Sequence, residues 1–420
     1  MVEWKEYTVA DVISTVIDYR GKTPKKLGGD WSDSGYRALS AKNIKTGKIV
    51  QVDSIRYVSE EMYKCWMKEE VQKEDILITS EAPFGQIYYW DSDEKIVLSQ
   101  RLFAIRVNQR FYPKYIYFYM TSSFFQAELD GRATGTTVVG LRQPELLKCK
   151  IYAPDYQEQK KIADILWCLE QKINNNEAIN NNLEQQAVLL FKKWFIEFDN
   201  SSKNMLETRF GLVPESFKLL KNGELPLVVT DYVANGSFAS LKANVTLYQE
   251  PNYAYFIRNT DLKSGTFEVF VDEHSYNFLS KSTLYGGEII ISNVGDVGSV
   301  FLCPKLDKPM TLGNNIIMLR PEQENLRYYL YIWFKWLYGQ SLIQGIKGGS
   351  AQPKFNKTDF KNLPIFLPPD DLLEQFHQIV KPMFELIDEN NTENQALTRT
   401  RDTILPRLMS GELDVSDIEI

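Results

Sequence analysis

The sequence has few of the residues that build metal centres or disulfide frameworks. Its two histidines, His274 and His377, are too few for a histidine-rich metal centre. Only four cysteines are present, and no two of them have the paired spacing of a zinc site or a disulfide framework. They are Cys65, Cys149, Cys168 and Cys303. The sequence therefore predicts no metal site.

Long apolar runs are also missing. No run approaches the roughly 18–20 residues that cross a bilayer, and residues 1–5 lack the apolar stretch of a secretory signal. We expect a cytoplasmic protein without a membrane partner. The chain has 420 residues, of which 44% are hydrophobic and 25% charged. This composition is that of globular proteins, and the length predicts two or three domains.

No catalytic motif is complete. Gly21-Lys22-Thr23 resembles the end of a phosphate-binding loop, but the upstream glycine that the motif requires is replaced by Val16. Asp155, Glu158 and Lys160 superficially resemble a nuclease pattern. Their carboxylates are too close in sequence to come from separate strands, and a helix cap explains them. We expect no catalytic residue and no bound cofactor, and a stand-alone enzyme has little support.

The net charge of −7 argues against a protein that simply coats DNA with positive charge. The acidic excess, however, is unevenly distributed. Residues 1–150 hold 22 Lys and Arg against 20 Asp and Glu, and residues 210–370 hold 15 against 15. Much of the acidic excess therefore lies elsewhere, including the tail at residues 413–420. A near-neutral domain still binds phosphate if its cations cluster on one face.

The chain repeats itself at an offset of about 214 residues. Residues 43–47 recur as 261–265, residues 75–80 as 288–293, and residues 98–106 as 312–320. Each match is weak alone, but their common order and nearly constant offset indicate a duplication. Within each repeat, short apolar runs separated by Gly and Asn predict strands of a mixed α/β domain. The aromatic segments 112–125 and 326–342 are long enough to be helices, with their aromatic rings in the core.

A long helix is predicted after each domain. Asp155 with Glu158, and Asp371 with Glu374, resemble N-terminal capping boxes. Apolar positions then recur at spacings of three and four for nearly five heptads, which predicts a coiled-coil seam. The first seam is Ile162, Leu166, Leu169, Ile173, Asn176, Asn180, Leu183, Ala187, Leu190 and Trp194. The second, each member offset by 214, is Phe376, Val380, Met383, Ile387, Asn390, Asn394, Leu397, Arg401, Ile404 and Leu408.

Two asparagines interrupt the middle of each seam. In an antiparallel pair residue i would face about residue 570 − i, which places Asn176 opposite Asn394 and Asn180 opposite Asn390. A parallel pair would also match asparagines, but each helix must return the chain to the next domain, which favours the antiparallel arrangement. Buried asparagines would penalise slipped registers. The alternative is a solvent-exposed polar hinge.

The seam from residue 162 to 194 would be about 48 Å long at 1.5 Å per residue. Two similar domains held that far apart could reach two major grooves at least one turn of B-DNA, about 34 Å, from each other. The sequence thus favours a spacer between two DNA-binding domains.

Polar, glycine-rich loops are the candidates for DNA contact. Such loops occur at corresponding places in both repeats, around residues 131–143 and 345–357, and a further cationic loop spans residues 19–26. Lys and Arg neutralise phosphates, while Ser, Thr, Asn and Gln position the duplex or read base edges. A solvated charged loop is the alternative for any single residue. The candidates are Arg20, Lys22, Thr23, Lys25, Lys42, Asn43, Arg132, Thr136, Thr137, Arg142, Lys242, Arg258, Asn259, Lys347, Ser350, Gln352, Lys354 and Lys357.

The whole chain resembles the specificity subunit of type I restriction–modification systems. The resemblance rests on the order domain–helix–domain–helix, on residues 20–24 (Arg-Gly-Lys-Thr-Pro) and on residues 404–413 near the end. The second repeat departs from the first motif and has residues 235–242, from Asn235 to Lys242, instead. The resemblance implies that each globular domain is a target recognition domain for half of a bipartite, asymmetric site in double-stranded DNA. Base-level roles are not carried over.

The resemblance also implies partners and a fold. The helices would dock two DNA adenine methyltransferase (M) subunits. Restriction and translocase (R) subunits would complete the complex, and methyl donor, ATP and Mg would bind only in those partners. We expect an α+β protein in which two similar mixed α/β domains are separated by two long helices forming an antiparallel coiled coil, with pseudo-two-fold symmetry.

The predicted organisation has five segments. They are a first target recognition domain (1–153), a first spacer helix (154–200), a second target recognition domain (201–369), a second spacer helix (370–412) and an acidic tail (413–420). The alternative from another functional class is a non-catalytic scaffold whose duplicated domains bind proteins or glycans. The aromatic content permits that function, but the paired cationic loops fit it less well.

Overall fold

The computed structural model describes residues 4–135, 139–198, 204–208, 211–349 and 352–415. The chain divides into two compact units. Unit 1 comprises residues 1–176 and 392–420, and unit 2 comprises residues 177–391. Each unit therefore contains one globular domain and part of each long helix. Within the described ranges, no helix combines the length and the apolar character that crossing a bilayer requires.

The domain of unit 1 alternates short strands with short helices. Its strands are β1 Lys5–Thr8, β2 Ile13–Asp18, β3 Tyr36–Leu39, β4 Ile44–Lys45, β5 Lys48–Ile49, β6 Arg56–Val58, β7 Ile76–Thr79, β8 Ile87–Tyr89, β9 Ile96–Leu98, β10 Leu102–Val107 and β11 Lys150–Ala153. Its helices are α1 Val9–Val12, α2 Glu60–Trp66, α3 Pro113–Thr121, α4 Ser123–Arg132 and α5 Gln143–Leu147. The strands form a four-stranded sheet in the order β2-β10-β7-β8, a three-stranded sheet β6-β3-β9, and the pairs β1-β11 and β4-β5.

The first long helix follows this domain, and the domain of unit 2 comes next. The long helix is α6 Tyr156–Phe195. The strands of unit 2 are β12 Met205–Thr208, β13 Gly211–Pro214, β14 Lys218–Lys221, β15 Leu227–Asp231, β16 Leu247–Tyr248, β17 Ala254–Ile257, β18 Phe270–Val271, β19 Thr283–Leu284, β20 Ile289–Ser292, β21 Val300–Leu302, β22 Met310–Leu312, β23 Ile316–Pro321 and β24 Pro364–Leu367. Its short helices are α7 Phe238–Asn244, α8 Asn259–Ser264, α9 Glu273–Phe278, α10 Leu326–Lys335, α11 Leu337–Gly345 and α12 Lys357–Lys361, and the second long helix is α13 Asp370–Met409.

The sheets of unit 2 repeat those of unit 1. Its four-stranded sheet runs β15-β23-β20-β21, and β14 pairs with β24 as β1 pairs with β11. The second sheet is enlarged to five strands, β16-β18-β17-β22-β19. In both units this sheet contains one parallel pair, β3 with β9 and β17 with β22. The duplication and the mixed α/β class expected from the sequence are confirmed.

A buried ion pair recurs at the same place in both units. In unit 1, Asp75 precedes β7, is 1% exposed and binds the guanidinium of Arg106 on β10 at 2.9 Å. In unit 2, Glu288 precedes β20, is 3% exposed and binds Arg320 on β23 at 3.0 Å. Burial raises the pKa of the Asp75 carboxyl, although hydrogen bonds from Arg106 act in the opposite direction. The pair therefore ties the ends of two neighbouring strands in each sheet.

The two aromatic segments each form two helices rather than one. In unit 1 the chain breaks between α3 and α4 at Ser122, whose hydroxyl accepts a hydrogen bond from the Phe125 amide. In unit 2 the break lies at Trp336, which has an extended backbone between α10 and α11. The expectation of one long helix in each segment is therefore wrong. Most of their aromatic rings are core residues as expected, with Tyr115 and Tyr329 fully buried, whereas Phe124 and Tyr338 are 50% and 40% exposed.

The long helices pair antiparallel inside each unit. In unit 1, Ile162 and Leu166 of α6 share a hydrophobic cluster with Leu408 and Met409 of α13. In unit 2, the other end of α6 packs on the other end of α13, with the ring centroids of Trp194 and Phe376 6.1 Å apart. In both units residue numbers rise along one helix as they fall along the other. The antiparallel coiled coil expected from the sequence is confirmed.

The caps of the two helices differ. Asp155 caps α6 as expected, because its Oδ1 accepts the amides of Gln157 and Glu158 at 2.9 and 3.0 Å. For α13 the prediction is wrong by one residue: the helix begins at Asp370, so Asp371 lies in its first turn and is not the cap.

The seam asparagines are inside the helix pair and bonded to each other. In unit 1, Asn176 Nδ2 donates to Asn394 Oδ1 at 2.9 Å. In unit 2, Asn390 Nδ2 donates to Asn180 Oδ1 at 2.8 Å. Asn176, Asn180 and Asn390 are 1%, 9% and 8% exposed. These are the two pairs predicted by the relation between i and 570 − i. Because three of the four side chains are buried, the alternative of a solvent-exposed polar hinge is wrong.

Candidate nucleic-acid interface

Unit 1 has a polar cleft of about 870 Å³ at one end of its four-stranded sheet. Two predicted loops meet there, the one that follows β2 and the one between α4 and α5. The cleft brings together three predicted residues, Arg20, Thr23 and Arg142. Other side chains that line it include Asp18, Lys26, Glu81, Gln100, Arg101 and Gln143. Residues distant in sequence thus form one polar, cation-containing surface.

Arg20 is held firmly in this cleft. Its Nε donates to Asp18 Oδ1 at 2.9 Å and its Nη2 to Asp18 Oδ2 at 2.6 Å, a bidentate pair of the strong, planar kind. Its Nη1 donates to the Leu141 carbonyl at 3.2 Å, and its guanidinium lies 4.8 Å from the centre of the Phe103 ring. Because Leu141 belongs to the other loop, Arg20 fastens the two sides of the cleft together.

The same small hairpin borders the predicted surface in both units. In unit 1, Thr134 and Gly140 exchange backbone hydrogen bonds at 3.0 and 2.9 Å; in unit 2, Gly348 and Lys354 do so at 2.8 and 2.9 Å. The next residue then bonds to the end of the sheet in each case, Leu141 to the Ser80 carbonyl and Phe355 to the Asn293 carbonyl. The two glycine-rich loops are therefore structural counterparts, as their common offset indicates.

In unit 2 the hairpin gathers predicted residues from other segments. The Gly295 amide donates to the Pro353 carbonyl at 2.9 Å, so the hairpin lies against the turn after β20. Asp296 in that turn accepts a hydrogen bond from Asn259 at 3.5 Å and pairs with Lys263 at 2.6 Å. Lys347, Gln352 and Lys354 on the hairpin are exposed. Candidates from two distant parts of the sequence therefore lie close together.

Lys357 follows the hairpin and binds the end of the sheet. Its Nζ lies 3.0 Å from Oδ1 of Asp231, the last residue of β15. Asp231 and Asp18 occupy the same position in their sheets, opposite Ile317 and Phe103 respectively. In each unit the aspartate at the end of this strand therefore binds a cationic side chain, Arg20 in unit 1 and Lys357 in unit 2.

Several predicted residues are used within the fold. Asn43 is 1% exposed and its amide bonds Ser40, Gln51 and Ser54. Arg132 at the end of α4 binds Glu128 at 2.9 Å and Glu145 at 3.7 Å. Arg258 binds Asp261 at 2.6 Å. These contacts give each side chain a role in holding a loop or a helix end.

The remaining predicted residues are spread over the surface. Lys22 donates to the Trp66 carbonyl at 3.2 Å and lies over the Tyr19 ring. Lys25 and Lys242 are exposed. Lys42 lines a depression that shares Gln100 and Arg101 with the cleft. Thr136, Thr137 and Ser350 lie outside the described residues.

Sequence reasoning missed the acidic residues of the interface. Asp18 and Glu81 lie in the cleft, where Glu81 binds Arg101 at 2.9 Å, and Asp231 holds Lys357. The signal available in the sequence was an aspartate at the same place in both repeats, just before the first polar loop. A search restricted to cations and amides passes over it.

The family model for the type I restriction modification DNA specificity domain matches residues 1–185 and 231–399, which is most of the chain and includes both hairpins. The chain belongs to this family. The match is divided between the two repeats, so the family's domain occurs twice.

Relatives match along most of the chain. It is 26% identical over 353 residues to the Type I restriction enzyme MjaIX specificity subunit of Methanocaldococcus jannaschii, covering 82% of this chain and 79% of that protein. It is 24% identical over 482 aligned residues to the Type I restriction enzyme HindI specificity subunit of Haemophilus influenzae, covering 98% and 100%. Its fold is similar to the crystal structure of a type I restriction-modification system S subunit from M. genitalium, with a TM-score of 0.57, 17% identity and coverage of 97% and 96%.

Proposed function

We propose that this chain is the DNA sequence-recognition subunit of a type I restriction–modification complex and that each unit reads one half of a bipartite site. The observation that carries the proposal is the hairpin that recurs at the end of both sheets. In unit 1 it borders a cleft lined by Lys, Arg and Gln side chains, and in unit 2 it carries the exposed Lys347, Gln352 and Lys354. Membership of the DNA specificity family supports the same function.

The chemistry of the two surfaces suits duplex DNA. Exposed lysines and arginines neutralise phosphates, and amide and guanidinium groups hydrogen-bond to base edges in the grooves. The two units present different side chains. The first has a bidentate Arg20–Asp18 pair, and the second has Lys357 on Asp231. Different side chains at equivalent places would select different half-sites.

The long helices would serve as the spacer between the half-sites and as the docking surface for two adenine methyltransferase subunits. Bonded asparagine pairs inside each unit would fix the register of this spacer. In this proposal the chain recognises DNA, and the partner subunits supply methyl transfer, ATP-driven movement and cleavage.

The test is sequence-dependent binding by the assembled complex. The chain is purified with its methyltransferase partner. Fluorescence anisotropy over a range of salt then measures binding to two unmethylated duplexes. One has a mixed sequence, and the other carries the target, which is the sequence that the complex methylates in cells. We expect salt-dependent binding to both and much tighter binding to the target. Equal affinity for the two duplexes would reject the proposal and would favour the scaffold alternative, in which the domains bind proteins or glycans.

A further inference from the structure

Helix α7 of unit 2 carries an exposed aromatic ring. Phe238, its first residue, is 81% exposed, the largest exposed fraction among the large hydrophobic side chains of the described residues. Three residues further along the same helix, Leu241 is 2% exposed and belongs to a small core cluster with Phe256 and Leu279. Leu241 therefore anchors the helix to the core, while the Phe238 ring at its first residue stays exposed. Contact with a binding partner would remove this apolar surface from water, which is favourable.

The segment before α7 is rigidly fastened. Asn235 Nδ2 donates to Ser282 Oγ at 2.7 Å, and its Oδ1 accepts the Lys281 amide at 2.9 Å. Asp231 Oδ1 accepts the Ala234 amide at 3.0 Å, and Ser237 Oγ accepts the Ser240 amide at 3.2 Å. These bonds hold the backbone on both sides of Phe238. The ring is thus exposed on a segment with fixed backbone bonds, residues 231–244, which we call the platform.

This platform is connected to the candidate interface of unit 2. It begins at the last residue of β15, Asp231, which also binds Lys357, three residues after the Gly348–Lys354 hairpin. In unit 1 the segment after the corresponding strand has Lys22, Lys25 and Lys26, and Pro24, at the offset of 214 from Phe238, is buried. Unit 2 therefore presents an aromatic ring in a segment where unit 1 presents cations.

The surroundings of the ring indicate what covers it. Lys242 lies one turn further along α7 and Lys281 lies in the segment that Asn235 holds, and both are exposed. Neither residues 238–244 nor residues 280–282 contain an acidic residue. An exposed aromatic ring with exposed lysines in the same helix and in the neighbouring segment matches duplex DNA, in which an apolar side chain wedges into a base step while cations bind the flanking phosphates.

We propose that Phe238 is a base-contacting residue of the second half-site, whose ring enters a groove of duplex DNA and packs against the bases while Lys242 and Lys281 bind the flanking phosphates. This rests on the proposed DNA-reading function. Phe238 and the two lysines would have different roles in binding. The ring contributes affinity that depends on the sequence under it, and the lysines contribute affinity that depends on salt.

The first test compares Phe238→Ala, Phe238→Tyr and Lys242→Ala in the complex with the methyltransferase, using the target duplex and a mixed-sequence duplex. Phe238→Ala weakens target binding roughly ten- to hundred-fold, the range for losing one base–aromatic contact, with an unchanged slope of log affinity against log salt. Phe238→Tyr retains most of the affinity. Lys242→Ala weakens binding to both duplexes and lowers that slope by about one. Leu212→Ala, which removes another exposed apolar side chain of unit 2 (61% exposed), is the matched control and changes neither.

The second test identifies the partner directly. A photoreactive benzoylphenylalanine replaces Phe238 in one sample and Leu212 in another, and the complex is irradiated with the target duplex. Crosslinking to DNA at position 238 and not at 212 supports the proposal. Crosslinking of position 238 to the methyltransferase, or full target affinity of Phe238→Ala, overturns it. Neither result affects the wider function, which fails only if the unaltered complex shows no preference for the target duplex.

Discussion

The buried asparagine pair of unit 2 gives a sharp test of how the helices are matched. Asn390→Ala removes the donor to Asn180 Oδ1, a bond of 2.8 Å between side chains that are 8% and 9% exposed. Asn180 keeps its bond to Asn391 at 3.0 Å, but its carbonyl oxygen loses this donor. An unsatisfied buried acceptor costs about 1–3 kcal/mol. We therefore expect Asn390→Ala to destabilise unit 2 by about 2 kcal/mol, whereas the exposed neighbour Asn181→Ala changes stability by under about 0.5 kcal/mol.

Replacing both partners separates polarity from packing. Asn180→Leu with Asn390→Leu removes the polar groups together, so its stability should equal or exceed that of the wild type. Urea denaturation followed by tryptophan fluorescence, to which Trp194 on the helix pair contributes, measures the difference. A loss of about 2 kcal/mol moves the midpoint by roughly 0.7–1 M for a slope of about 2–3 kcal/mol per molar urea. If Asn390→Ala and Asn181→Ala have the same midpoint, or the double leucine variant is the least stable, the reasoning is refuted.

Three further substitutions probe other parts of the account. Arg401→Ala leaves Glu170, 7% exposed and bonded to Arg401 at 2.7 Å, without that ion-pair partner, so unit 1 should lose about 2–4 kcal/mol of unfolding free energy in urea; a loss below that of a surface variant would contradict this. Arg106→Met removes hydrogen bonds that oppose the burial-raised pKa of Asp75. That pKa then rises further, so the variant loses more unfolding free energy relative to wild type as the pH rises. The loss is small below pH 3.8, the value for an ordinary aspartate, and grows toward neutral pH. A loss that urea titrations find to be independent of pH would contradict this prediction. Arg142→Ala in the cleft should weaken binding to all duplexes and lower the salt slope by about one, and an unchanged slope in anisotropy titrations would remove Arg142 from the phosphate-binding set.

Features that recur at a fixed offset could be predicted from the sequence. The seam asparagines fall at matching places in two helices, and helical geometry converts that spacing into facing positions, which is why Asn176 and Asn394 were paired correctly. The places of the two glycine-rich loops could be predicted because glycines and polar residues mark turns locally, but their backbone pairing as hairpins could not. Strand order was not predicted, since it depends on which apolar runs pair across long stretches of chain.

Features that depend on distant partners could not be predicted. Nothing local distinguishes Asn43, which is enclosed by Ser54 and its neighbours, from an asparagine that faces solvent. The break at Trp336 lies inside a continuous aromatic run that contains no proline, so tertiary packing and not a local breaker sets its place. The exposure of Phe238 is equally invisible in the sequence, since aromatic residues are buried in most positions. Such residues require coordinates before they can be assigned a role.

In the proposed function the two units read the two halves of one DNA site. The most direct test sequences methylated adenines in cells that carry the methyltransferase with this chain, without it, or with residues 211–369 exchanged for those of a relative. The account predicts a bipartite motif that disappears without the chain, and an exchange that alters one half of the motif and keeps the other. An unchanged motif after the exchange, or methylation at the same sites without the chain, would contradict it.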